Sequence, residues 1–168
     1  MPIDGPLAGP SWLVLGSRAR RDAPPHSDVD TALAWPTAFS DRSDRFRAGA
    51  EVVLIALEHC GLSRCTDGAN ATEPLFARSV DGWSEATARW TRYPESGSAL
   101  PLASIVVDNR PLTNVDLGRA LTQSMLNSAR DRNFLDALLH FMLAVKPQRR
   151  LMRGFAVDRS GPIGGSST

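Results

Sequence analysis

Residues 16–30 read Gly16-Ser17-Arg18-Ala19-Arg20-Arg21-Asp22-Ala23-Pro24-Pro25-His26-Ser27-Asp28-Val29-Asp30. An apolar run, Trp12-Leu13-Val14-Leu15, leads into them, and a second, Val29 to Trp35, leads out. Trp12 to Leu15 is short and continuous, as a buried strand is, and Gly16-Ser17 ends it. Ser17 to Asp22 is long enough to begin a short helix. Pro24-Pro25 stops that helix, because proline lacks the N–H and disfavours helical backbone in the residue before it. Val29 to Trp35 reads as a second strand closed by Pro36. The stretch is a small-residue turn, then a basic segment, then two carboxylates on alternate positions.

On a strand, residues i and i+2 point to one face. Asp28 and Asp30 therefore repel each other unless a cation lies between them. Magnesium takes oxygen ligands and keeps waters and substrate phosphates in its shell, so this pair is a candidate metal site, with manganese as an alternative ion. Gly16 lets the backbone approach a phosphate, having no side chain. The Ser17 hydroxyl and the N–H groups of the turn are phosphate donors, and Arg18, Arg20 and Arg21 add positive charge. Ser27 is expected to brace the turn into the second strand. Gly-Ser in a turn and Asp-x-Asp on a surface are each common. Their fixed short interval between two apolar strands is what makes the combination specific.

The remaining chain supplies a third acid. Ala103-Ser104-Ile105-Val106-Val107-Asp108 is rich in β-branched residues and is expected to be a third strand with Asp108 at its end. An acid there, beside Asp28 and Asp30, would ligate a metal and take a proton from an attacking hydroxyl. Between these segments, Asp44 to Cys60 is expected to be helical from the spacing of Ala48, Val52, Ile55, Ala56 and His59, with Gly61 ending it. Residues 62–78 lack a period and read as an ordered loop. Ser79 to Tyr93 is expected to be a helix capped by Ser79, with Trp83, Ala86 and Trp90 on one face, a core stripe rather than a base-stacking platform. Asp116 to Arg130 and Asn133 to Val145 are expected to pair as a helical hairpin, with Leu151 to Val157 an extended piece.

The 168 residues, 42% of them hydrophobic, suffice for one domain with its own core, and the net charge of +1 gives no global pull toward nucleic acid or membrane. No apolar run approaches the ~18 residues of a membrane span, and the N-terminus lacks the pattern of a signal peptide, so a cytoplasmic location is expected. Cys60 and Cys65 beside His59 do not complete a four-ligand zinc site and are expected to be reduced thiols. The fold class expected is α/β, with a small mixed sheet, flanking helices and a helical C-terminal extension. The expected division is a flexible leader over 1–11, a catalytic core over 12–111, a helical extension over 112–159, either whole or cut short, and a disordered tail over 160–168.

At Gly16-Ser17, Asp28-x-Asp30 and Asp108 the chain resembles the nucleotidyltransferase superfamily with the polymerase-β-like fold. It is most similar to the amino-terminal region of PII-protein uridylyltransferases, whose pattern is Gly-Ser-x-Gly-Arg-Gly-Glu, a Pro, then Ser-Asp-x-Asp. Gly16, Ser17, Arg20, Pro25, Ser27, Asp28 and Asp30 fall at the same intervals, while Ala19 and Arg21 replace glycines and Asp22 replaces Glu. Leu57 to Gly61, Cys65, Asn70, Trp83, Trp90, Ala103 to Pro111 and Arg153-Gly154-Phe155 resemble signal-transduction nucleotidyltransferases found with CBS or cyclic-nucleotide-binding domains.

This resemblance implies magnesium-dependent transfer of a nucleoside monophosphate from an NTP to an acceptor hydroxyl, with release of pyrophosphate. It implies that Asp28 and Asp30 hold the metal, that Asp108 completes the metal site and acts as base, and that Gly16, Ser17, Arg20 and Ser27 bind the nucleotide. The implied acceptor is a protein in a signalling role, as in uridylyl- or adenylyltransferases, with regulatory CBS or cyclic-nucleotide-binding domains on another chain as partners and neither membrane nor nucleic acid among them. Two alternatives are a nucleotide-binding sensor without turnover and a toxin–antitoxin-type nucleotidyltransferase.

Overall fold

A computed structural model describes residues 9–128 and 130–144. The leader up to residue 8, the piece Leu151 to Val157, Arg153-Gly154-Phe155 and the tail lie outside the described residues. The elements run β1 (Ser11–Leu15), α1 (Gly16–Arg20), β2 (Thr31–Trp35), a 3-10 segment (Thr37–Arg42), α2 (Ser43–His59), β3 (Ala77–Ser79), α3 (Val80–Arg92), α4 (Ala99–Val107), β4 (Asn109–Pro111), α5 (Val115–Ser128) and α6 (Arg132–Ala144). The sheet order is β3-β2-β1-β4. β2 and β4 flank β1 antiparallel, whereas β3 joins β2 in parallel, so the small sheet is mixed, as expected.

Alternation along β1 and β2 sends side chains to two cores. Leu13, Leu15, Ala32 and Ala34 meet the helices of one face, where Trp83 is fully buried. Leu33 and Trp35 meet Ala50 of α2 on the other face, with Trp35 and Phe46 rings 5.4 Å apart. Trp83 and Trp90 pack edge to face at 6.5 Å, and the Trp83 indole N–H donates to the Leu33 carbonyl at 3.0 Å. They are core residues, as their spacing predicts. Ser79 caps α3 by accepting from the Gly82 N–H, and Gly61 follows α2 at φ +80°.

Three expectations are corrected. Ala103 to Asp108 is not a strand: Ala103–Val107 is the second half of α4, and Asp108 is the extended residue after it. The buried residues Ala99, Leu102, Ala103 and Val106 fall at i, i+3, i+4 and i+7, a helical stripe that seats on α3 and α6. Such packing outweighs the weak preference of Ile105, Val106 and Val107 for strand. Pro101 lies in the first turn, where its missing N–H breaks no helical bond. The third strand in the chain is Ala77–Ser79, within and just after the expected loop, and the partner of β1 is Asn109–Pro111.

The second strand starts at Thr31, two residues later than expected, so Asp28 and Asp30 lie on the extended approach to it. In α2 the positions that revealed the helix, Ala48, Val52, Ile55, Ala56 and His59, face solvent, and Ala50 and Leu54 face the sheet. Finally, α5 packs on α3, β1 and β4, and α6 packs on α4, rather than the two forming a separate hairpin. Leu121, Met125, Phe134 and Leu138 join the same core as Leu13.

Candidate active site

β1 ends at Leu15, and the chain turns through Gly16 in the left-handed region at φ +57°. The turn is tied on both sides: the Leu15 N–H donates to the Asp30 carbonyl at 2.9 Å, and the Gly16 N–H donates to the Asp108 carbonyl at 2.9 Å. Because β2 and β4 both run antiparallel to β1, the residues that precede them arrive at this one end of the sheet. That is how Asp30 and Asp108, far apart in sequence, come to flank Gly16. A Cβ on Gly16 would stand 3.0 Å from Asp30 Oδ2.

Asp28-Val29-Asp30 is held extended by its middle residue. Val29 is buried, forms a parallel bridge with Arg64, and donates its N–H to Ser63 at 2.8 Å. The same loop then backs both acids. Asp28 Oδ2 accepts from the Thr66 N–H at 3.3 Å and its hydroxyl at 3.2 Å. Asp30 accepts from the Cys65 thiol. Burial raises the Asp30 carboxyl above the usual aspartate range, and the negative charges of Asp28 and Asp67 push the same way, against the Cys65 bond and the charge of Arg18. Burial and the bond to Asp30 raise the Cys65 thiol, keeping it protonated. Asn70 is buried and clamps the loop, accepting from the Cys65 N–H at 3.2 Å and donating to the Cys65 carbonyl at 2.9 Å.

Sequence reasoning missed Thr66 and Asp67 and gave Cys65 no role at the acids. No local signal carries them, since they reach Asp28 and Asp30 only through the Val29–Arg64 bridge.

The basic segment divides its work. Arg18 donates to the carbonyls of Ser27 at 2.6 Å and Asp28 at 3.2 Å, which fixes the approach to β2. Arg20 pairs with Asp22 at 3.0 Å and with the carboxylate of Asp108. Arg110 donates to the carbonyls of Arg18 and Ala19, capping α1. Arg21 ends α1 at φ +66°, a conformation that explains why glycine is usual there. Ser27 braces the turn through its main chain, its N–H donating to Pro24 at 3.2 Å, while its hydroxyl oxygen is buried without a hydrogen-bond partner.

The acids fit a magnesium ion in part. Asp28 and Asp30 offer oxygen ligands and mutual repulsion that a divalent cation relieves, with phosphates and waters able to fill the remaining positions. Asp108 is engaged by Arg20 instead, and among the described residues no three Asp, Glu, His or Cys side chains converge on one metal position. Among them also, no helix is long and apolar enough to cross a membrane.

Residues 4–97 match the model of a family described as "Putative nucleotidyltransferase DUF294". The matched span contains the Gly16-Ser17 turn, Asp28 and Asp30, and stops before Asp108. No curated protein and no solved structure matches the chain.

Proposed function

The chain belongs to this nucleotidyltransferase family, and on that premise we propose that it moves a nucleoside monophosphate from an NTP to an acceptor hydroxyl in a magnesium-dependent reaction. The hydroxyl oxygen attacks the α-phosphorus, the bond from that phosphorus to the β-phosphate oxygen breaks, and pyrophosphate leaves with the electron pair. The observation that carries this reading is the Asp28–Asp30 pair, which forms no salt bridge among the described residues, with Asp30 packed against the left-handed Gly16.

Asp28 and Asp30 would hold magnesium, or manganese in its place, with Thr66 and Cys65 orienting their carboxylates. The ion, when bound, supplies charge neutralisation of the phosphates and polarisation of the reacting oxygens. The β- and γ-phosphates are assigned to the Gly16 turn, whose missing side chain leaves room for the Asp30 carboxylate beside them, and the Ser17 hydroxyl, unpartnered among the described residues, is a donor to them. Arg20 as a triphosphate ligand and Asp108 as the base that takes the hydroxyl proton require one rearrangement. Their ion pair must open, and the triphosphate is the anion that competes for Arg20. Ser27, with its unpartnered hydroxyl, is assigned to the nucleotide side of the turn.

The acceptor we assign is a protein side-chain hydroxyl in a signalling role, with regulatory CBS or cyclic-nucleotide-binding domains on another chain as partners. This rests on the likeness of Leu57 to Gly61 and Ala103 to Pro111 to signal-transduction nucleotidyltransferases.

A second reading, nucleotide binding without turnover, draws on the Arg20–Asp108 pair, which occupies the candidate base. The deciding experiment incubates the chain with each α-labelled NTP, magnesium and candidate acceptors. Label transferred to a macromolecule by the wild type and lost in Asp30→Asn supports transfer. Binding without transfer favours the second reading, and transfer at the wild-type rate by Asp30→Asn rejects the assignment of the site.

A further inference from the structure

Beside the turn, at the β1–β4 edge of the sheet, lies an open cleft of about 270 Å³. Its floor is apolar, from Val14, Ala23 and Leu112, and its walls carry three guanidinium groups, Arg18, Arg21 and Arg110. Val14 pairs directly with Arg110 across the strands, whereas Leu15, the residue next to Val14, faces the opposite core. The cleft is therefore on the side of the sheet away from the position to which Leu15 points.

None of these three arginines forms an ion pair with a carboxylate among the described residues, and only Arg18 has its charge felt by an acid of the site, Asp30. Arg18 and Arg110 donate only to main-chain carbonyls, which satisfy hydrogen bonds without cancelling charge. The Arg21 N–H donates to the Arg18 carbonyl at 3.3 Å, but its guanidinium has no hydrogen-bond or ion-pair partner among the described residues. No lining residue is acidic, and Asp22, next in sequence, and Asp108 are both paired with Arg20. Three like charges around one concavity repel one another, so their grouping disfavours the empty site and favours an anion. Arg21 also sits in a backbone conformation that costs any residue with a Cβ. A guanidinium at this strained position is a costly choice for a turn alone, and it adds a third charge to the cleft.

We infer that Arg18, Arg21 and Arg110 form a binding cleft for a phosphoryl group, separate from the Asp28–Asp30 site. The planar guanidinium matches phosphate oxygens with paired N–H donors. The volume admits a pyrophosphate-sized anion or a small phosphate ester lying on Val14 and Leu112. The inference does not depend on nucleotidyl transfer, because the cleft contains none of the acids assigned to it.

The test is calorimetric titration of inorganic pyrophosphate, and in parallel of adenosine monophosphate, into the full chain with chelator present and divalent metals removed. Wild type, Arg21→Gly and Asp30→Asn are compared. Arg21→Gly removes the guanidinium and relieves the strained backbone, so its unfolding temperature should equal or exceed that of wild type. Its affinity should fall about tenfold, the loss expected for one charged hydrogen-bonding group. Asp30→Asn, which removes the negative charge that acts on Arg18, should bind at least as tightly as wild type. Tighter binding of pyrophosphate than of the ester marks a free polyphosphate as the ligand source, and the reverse order marks an ester. Absence of binding by wild type at millimolar concentration, unchanged affinity in Arg21→Gly, or loss of affinity in Asp30→Asn would each overturn the inference.

Discussion

The Asp30 carboxylate occupies space that only a glycine at position 16 leaves open: a Cβ on Gly16 would lie 3.0 Å from Asp30 Oδ2. The residue before Gly16 is also tied to Asp30, since the Leu15 N–H donates to the Asp30 carbonyl. The turn proposed to admit phosphate and the acid proposed to hold metal are thus one packed unit. A change in either displaces the other.

Gly16→Ala should therefore injure the site more than the fold. The left-handed backbone costs about 1–2 kcal/mol for a residue with a Cβ, and the new methyl pushes the Asp30 carboxylate away. Chemical denaturation should show a loss of that order, while metal-dependent transfer falls by a larger factor than stability alone explains. Unaltered transfer in this variant would separate Asp30 from the turn.

Asp30→Asn should stabilise the metal-free protein at neutral pH. Burial raises the carboxyl of Asp30 in the folded state, so the folded protein holds this proton more tightly than the unfolded chain does. The sign follows from linkage: stability falls as pH rises from the ordinary value of 3.8 through the raised folded value, and the full cost is present above it. The gain from Asn should be seen at pH 7 and vanish below that window. Magnesium should raise the unfolding temperature of wild type by mass action and leave the variant unmoved. Thermal melts over a pH series, with and without magnesium, test both statements.

Asp108→Asn should cost little stability. The Arg20–Asp108 pair is partly exposed, with side-chain exposures of 47% and 30%, and such pairs contribute about 1 kcal/mol or less. If Asp108 is the base, transfer should fall at least a hundredfold, the lower range for general-base removal, with nucleotide affinity retained or improved as Arg20 is released. Single-turnover rates with equilibrium nucleotide binding separate these effects, and wild-type turnover in the variant would remove Asp108 from the chemistry.

Gly118→Ala should destabilise the fold through crowding alone. A Cβ there would fall 2.3 Å from Pro111 Cβ and 2.7 Å from the Ser11 hydroxyl, where α5 crosses β4 and β1. Overpacking of this kind costs about 1–3 kcal/mol, which denaturant titration measures directly. A neutral result would mean that α5 rides further from the sheet than described.

Trp83→Ala should be the most destabilising of these changes, by about 3–5 kcal/mol. The residue belongs to α3, is fully buried, and its indole N–H donates to the Leu33 carbonyl of the sheet.

Local signals in the sequence are legible where the determining atoms lie within one turn of the chain. The end of β1 at Gly16, the Ser79 cap, the Gly61 stop after α2 and the stripe of Trp83, Ala86 and Trp90 are all of this kind. Local signals mislead where two of them conflict. In Ala103 to Val107, β-branching suggested a strand, and the helical stripe became visible only when Ala99 and Leu102 were included. Orientation is a separate matter, because spacing along α2 marks a helix without saying which side meets the sheet. Ala50 and Leu54 face inward, while Val52 and Ile55 do not.

By itself the sequence determined the motif interval from Gly16 to Asp30, the mixed α/β class and most element positions. Backbone torsions, caps and periodicity are properties of neighbouring residues, so they can be read in order. Only the tertiary structure decided what surrounds the acids: Thr66 on Asp28, Cys65 on Asp30, Arg20 on Asp108, and three unpaired arginines at the β1–β4 edge. Those partners are brought together by the antiparallel pairing of β2 and β4 with β1 and by the Val29–Arg64 bridge. Such pairings depend on which buried surfaces fit one another across the whole chain, and no short stretch of sequence contains that information.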